Sequence, residues 1–222
     1  MHRLTKRIRS WDNIGRITLP QPLVEPFSKT MMTRSWTNSR GMTLSELITV
    51  MAIISILAAV GVPQFNNWIH KYRLEGQVNK LYFDLMAAKS QAIRYNHNMV
   101  VTFNAGNHTY KIHSDKDNDG VEDTGENVKT VILENGARFG TNSGLATDVW
   151  GNSMGGAVNM SNGGSSVTFD SRGQANTSGA VYLMPDVDLS TTMTDRARAI
   201  KIVQTTGNIE VMRYDKDSNQ WS

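Results

Sequence analysis

The chain has 222 residues, 39% of them hydrophobic, which is enough for one domain with a real core plus appendages. It has no cysteine, which excludes a disulfide framework, thiolate zinc sites and a cysteine nucleophile. The net charge of +3 is unevenly placed: residues 1–41 hold eight Lys/Arg against Asp12 and Glu25, so the remainder carries −3. The basic character belongs to the N-terminal segment, which weakens any inference of a polyanion partner.

That segment contains Pro20, Pro22 and Pro26 and shows no apolar periodicity. After it, from Met42 to Val62, only Glu46 is ionisable. A helix of that length spans roughly 30 Å, the thickness of a bilayer core. The basic flank predicts a cytoplasmic N-terminal side and places the rest of the chain across the membrane.

The helical pattern runs on past Gly61 and Pro63, which should kink the helix without ending it. Phe65, Trp68, Ile69, Tyr72, Val78, Leu81, Tyr82, Leu85, Met86 and Ile93 recur at steps of three and four. The spacing predicts an amphipathic, core-facing stripe ending near Asn96. One helix of about 55 residues results, with residues 42–63 in the membrane and 64–97 packed on a domain.

The periodicity then changes. Residues 99–103, 109–113, 128–133, 137–140, 166–169, 180–184, 198–204 and 209–214 are short, β-branched or aromatic runs bounded by Gly, Asn and Asp. A hairpin turn is expected at Gly207-Asn208, and a long, mobile loop over residues 140–165, which hold seven glycines. A long helix followed by an antiparallel sheet over residues 98–222 is an α+β arrangement.

The segment from Asp115 to Glu126 has the spacing of a twelve-residue calcium loop. Asp115, Asp117, Asp119, Asp123 and Glu126 would offer carboxylates, Val121 a backbone carbonyl, and Gly120 the sharp turn. Strands are expected on both sides where calcium loops usually have helices, and Glu122 stands where an apolar residue is usual. A solvated acidic turn is therefore the alternative to a structural calcium clamp. The five histidines show no zinc spacing, and no nucleophile turn or phosphate-binding glycine loop occurs, so no enzyme is expected.

Arg40-Gly41-Met42-Thr43-Leu44-Ser45-Glu46-Leu47 resembles the type IV prepilin cleavage motif. The resemblance implies cleavage by prepilin peptidase between Gly41 and Met42, N-methylation of Met42, and a role for Glu46, fifth after the cut, in assembly. The family usually has Phe where Met42 stands. Residues 1–41 would then be a leader, unusually long unless translation starts at Met31 or Met32.

Residues 167–183 and 196–211 further resemble the H-type minor pseudopilin family (GspH/FimT), with a turn at Phe169-Asp170-Ser171-Arg172-Gly173 and a hairpin tip at Thr206-Gly207. The resemblance implies the type IV pilin fold and a minor pilin or pseudopilin of a type II secretion pseudopilus or type IV pilus. Its partners would be other pilins through the N-terminal helix, an inner-membrane assembly platform and membrane lipid. The C-terminal domain would lie in the periplasm. A DNA-uptake pilin and a non-polymerising, anchored calcium module are the alternatives. DNA is the poorer expectation, because Gly207-Asn208-Ile209-Glu210 lacks the two arginines that DNA-binding relatives carry there.

Overall fold

Residues 41–222 are described by the structure, a computed structural model. The expected leader, apart from Gly41, and the alternative starts at Met31 and Met32 lie outside the described residues. The chain divides into two units at Leu47/Ile48, and the described part of the first is the start of a helix. Thr43 starts that helix, α1, which runs Leu44–Tyr95 through Pro63. Asn96 closes it in the left-handed conformation at φ 55°, a common helix stop.

The buried face of α1 is Leu74, Val78, Leu81, Leu85, Ala88 and Ala92, at alternating steps of four and three. This corrects the expected stripe. Val78, Leu81 and Leu85 do face the core, but Phe65, Trp68, Tyr72, Met86 and Ile93 are exposed. At about 100° per residue, Trp68 and Leu74 lie about 120° apart around the axis, so the aromatic run and the core stripe occupy different faces.

Ten strands follow: β1 (Asn98–Asn104), β2 (Thr109–Asp115), β3 (Val128–Ile132), β4 (Ala137–Phe139), β5 (Val158–Met160), β6 (Ser166–Phe169), β7 (Gly179–Pro185), β8 (Arg198–Val203), β9 (Asn208–Asp215) and β10 (Gln220–Trp221). They form an antiparallel sheet in the order β3-β2-β1-β6 and a second in the order β10-β9-β8-β7-β4, with β5 also pairing β7. The main core gathers the α1 stripe with Val101, Phe103 and Tyr110 from the first sheet and Val181, Leu183, Ile200 and Ile202 from the second. This is the expected α+β architecture.

Three polar clasps hold the helix in place. Asp84 accepts hydrogen bonds from Tyr110 Oη and Lys129 Nζ, each at 2.6 Å. Glu75 accepts one from Arg198 on β8 at 3.0 Å, and Lys89 donates to the carbonyls of Thr206 and Gly207. Desolvation, then the Asp84 contact, raises the Tyr110 phenol, which stays protonated and donates.

The glycine-rich stretch is not the open loop its composition predicts. Strand β5 lies within it, and its first half covers the outer face of β7 and β8, where Ala180, Tyr182 and Ala199 are buried beneath Met154 and Val149. Tyr182 Oη accepts from Val149 N–H, Tyr214 Oη from Ala146 N–H, and Trp221 Nε1 donates to Thr147 O. Strand β7 is consequently buried on both faces, which is why AVYLM shows no alternation. The β8–β9 turn occupies residues 204–207, since Val203 pairs with Asn208; its centre precedes the expected Gly207-Asn208.

Candidate processing, assembly and cation sites

The first described residues bring Thr43 and Glu46 together. Thr43 Oγ1 accepts from the Glu46 N–H at 3.2 Å, and Glu46 Oε2 accepts from the Thr43 N–H at 2.8 Å and from Thr43 Oγ1 at 3.0 Å. This reciprocal pair is a capping box, which satisfies two otherwise orphaned helix N–H groups and sets a carboxylate at the positive end of the helix dipole. The signal was present as Thr43-x-x-Glu46 directly before an apolar run, and the sequence reading missed it. Gly41 has no atom within 4 Å of where a Cβ would sit and no left-handed φ. Among the described residues, nothing steric requires glycine there.

Beyond the cap, the helix surface is apolar and bare. Leu44, Ile48, Ile56, Leu57 and Val60 are each more than 60% exposed, and an 18-residue window reaches mean hydropathy 2.2. The helix is long and apolar enough to cross a membrane.

The acidic segment lies between β2 and β3. Asp115, fully buried at the end of β2, accepts from the N–H groups of Asp119 and Gly120 at 3.1 and 3.0 Å. Glu126 accepts from Lys116 N–H at 2.7 Å and Asp123 N–H at 3.2 Å, folding the far end of the loop back onto its start. Gly120 takes φ 82°, the left-handed turn expected of it. The carboxylates fall into two groups, Asp115-Asp117-Glu126 and Asp117-Asp119-Asp123, within each of which the oxygens lie inside 4.8 Å of one another. Asp117, common to both, is raised by desolvation and then by the charge of Asp119. Glu126 is lowered, chiefly by the Lys116 N–H, against desolvation. Val121 has an exposed side chain and donates its N–H to Asp119 Oδ1. Hard oxygen donors around a shared carboxylate fit a calcium ion better than a softer metal.

Near the β8–β9 hairpin, Lys89 donates to the tip carbonyls and four further basic residues are set against acids. Arg196 makes a bidentate, buried pair with Asp188, and Arg172 pairs with Asp170 at 2.9 Å. Arg198 pairs with Glu75, and Lys201 lies 4.0 Å from Glu210. Asn208 Nδ2 donates to Glu210 at the tip.

Two turns that carry the resemblance meet directly. Asp170 Oδ1 accepts from the N–H groups of Arg172 and Gln174, and Gly173 takes φ 78° beside Ile93 and Lys89 of α1. A Cβ on Gly207, at φ 55°, would lie 2.0 Å from the Gly173 carbonyl oxygen. The hairpin tip, the Phe169–Gly173 turn and the end of α1 thus form one junction.

The family described as Type II transport protein GspH matches residues 77–207, from the buried half of α1 to the glycine of that junction. The chain belongs to the GspH family. A prokaryotic N-terminal methylation motif matches residues 36–62, which contain Gly41, Met42 and Glu46. Comparison with curated proteins returns no match. Among solved structures, this GspH-family chain is similar to the minor pseudopilin EpsH from the type 2 secretion system of Vibrio cholerae. One EpsH structure has 11% identity and TM-score 0.43, with 64% of this chain and 97% of that one covered. A second has 10% identity and TM-score 0.42 at the same coverage. The type IV minor pilin FimU of Pseudomonas aeruginosa has 12% identity and TM-score 0.41, with 70% and 96% covered.

Proposed function

We propose that this GspH-family chain is a minor pseudopilin, a structural subunit of a type II secretion pseudopilus or type IV pilus, acting in filament initiation or at the tip. The observation that carries the reading is the bare apolar surface of α1 ahead of a domain that buries the helix from Leu74 onward. Such a surface needs lipid or other helices as its solvent.

In this reading prepilin peptidase cuts between Gly41 and Met42, which accounts for a glycine that no neighbouring atom among the described residues requires. The basic leader holds the precursor in the inner membrane with the C-terminal domain in the periplasm. An assembly platform then moves the helix from lipid to a filament core, exchanging lipid contacts for helix contacts. Cleavage exposes a new amine at Met42, next to Thr43, whose carbonyl accepts from Leu47 N–H to close the first helical turn. Glu46 would leave part of its capping role to pair with such an amine on a neighbouring subunit, because an acid near lipid is costly without a cation.

Glu46→Gln separates the two roles. Glutamine still completes a capping box, so insertion and cleavage should persist, whereas loss of the charge should reduce incorporation into filaments. Wild-type incorporation of Glu46→Gln would remove the assembly role.

The loop from Asp115 to Glu126 is proposed as a calcium clamp that joins β2 to β3. Calcium there would neutralise the carboxylates crowded around Asp117. Titration calorimetry of the detergent-solubilised chain should give heat that Asp117→Asn abolishes; no heat at millimolar calcium would leave a solvated acidic turn.

A further inference from the structure

Three exposed aromatic side chains of α1 stand between its apolar run and its packed part. Phe65, Trp68 and Tyr72 stack in sequence, with ring centroids 6.1 and 5.5 Å apart, and are 58%, 58% and 66% exposed. Two residues later Leu74 is fully covered by the domain. Neither the Trp68 indole N–H nor the Tyr72 hydroxyl meets a partner among the described residues.

Beside Trp68 is a cleft lined by Gln64, Asn67, Lys71, Met193, Asp195 and Arg196. Arg196 is neutralised by Asp188 and donates to Asn67 Oδ1 at 3.2 Å, and Asp195 lies in the field of Arg196 and Arg198. Lys71 and Asp195 both lack an ion pair among the described residues, and Lys71 is the one cation of the cleft that no acid holds.

Resting on the membrane-anchor reading, we propose that the Phe65-Trp68-Tyr72 ladder and this cleft seat in the phospholipid headgroup layer on the domain's side of the membrane, with Lys71 on a lipid phosphate. At 1.5 Å per residue Phe65 stands about 4.5 Å, Trp68 about 9 Å and Tyr72 about 15 Å beyond Val62. The headgroup zone is about 5–8 Å thick, and a tilt of about 20° draws the ladder inward. On the helix axis Phe65 therefore falls within that zone, Trp68 at its water edge and Tyr72 about 6 Å beyond it, a distance its phenol shortens by pointing back toward the helix N-terminus. Indole and phenol rings prefer this layer because their apolar bodies and polar tips are both satisfied there. A lysine stem can lie along apolar surface, which lets the Lys71 ammonium reach back toward a phosphate. A second copy's helix is a poorer occupant, because helices in lipid pack through small side chains and this face carries the largest.

The test uses the full chain in phosphatidylcholine–phosphatidylglycerol vesicles whose acyl chains are brominated near the headgroup or near the chain end. The Trp68 signal is the part of the fluorescence lost in Trp68→Phe, which separates it from the other four tryptophans. Shallow bromines should quench it more than deep ones, and Lys71→Glu should weaken that quenching. If the chain floats with vesicles but Trp68 is unquenched, is quenched more from the deep position, or is unaffected by Lys71→Glu, the headgroup proposal falls and the anchor reading stands. Trp68 emission that changes with protein-to-lipid ratio would assign the ladder to a second copy instead. A chain that fails to float overturns both.

Discussion

Replacing Gly207 with alanine tests the junction on which the domain depends. The new Cβ would stand 2.0 Å from the Gly173 carbonyl oxygen, where ordinary C···O contacts begin near about 3.3 Å. Both atoms are backbone or bound to it, so relief requires the hairpin tip to move by roughly 1 Å. That movement would also pull the Gly207 carbonyl from Lys89 Nζ, now 2.9 Å away. The left-handed φ of 55° costs a non-glycine residue about 1–2 kcal/mol, and overpacking about 1–3 kcal/mol more, for a total of about 2–5 kcal/mol. Gly151→Ala is the control, because Gly151 shares a left-handed φ of 83° but has no atom within 4 Å of where a Cβ would sit, so only about 1–2 kcal/mol applies. Urea denaturation of the detergent-solubilised chain should therefore rank Gly207→Ala well below Gly151→Ala. Equal losses in the two variants would refute the clash argument.

Asp188→Asn should cost about 3–5 kcal/mol, read as a fall in the urea midpoint, because it leaves the buried Arg196 guanidinium without its anion; a loss under about 1 kcal/mol would contradict this. Asp170 has a carboxyl held below its ordinary value of 3.8: desolvation raises it, but the Gln174 and Arg172 contacts prevail. Its contribution is therefore present above that ordinary value and lost as pH falls through the lower folded value. Asp170→Asn should be less stable at neutral pH and should lose less stability on acidification below 3.8, measured by the same denaturation at stepped pH. An unchanged acid dependence would leave Asp170 with no such contribution.

The α1 helix and eight of the ten strands were legible because hydrophobic period and β-branched runs are local signals. Strands β5 and β10 were not, because β5 lies hidden among glycine, asparagine and serine and β10 has only two residues; their pairing is imposed by β7 and β9. The stretch from Gly140 onward read as mobile because its glycines are visible, whereas its reason for order is the apolar outer face of β7 and the tyrosine hydroxyls beneath it. Phe65, Trp68 and Tyr72 matched a helical period without belonging to the core, since period alone does not say which of two apolar faces the domain covers. At the N-terminal end Glu46 stood out as a charge before an apolar run, but its partner Thr43 was overlooked although the capping-box spacing is local. In the acidic loop the left-handed turn at Gly120 followed from residue type, while the folding of Glu126 back onto Lys116 depends on a register that composition does not reveal.

Release of the helix for assembly by a cut before its cap is the step on which the proposed function turns. Mass spectrometry of the protein purified from membranes of a cell with prepilin peptidase measures it without intermediary. The chain should begin at an N-methylated Met42. A chain that keeps the leader, or is cut after the apolar run, in that same cell would contradict the proposal.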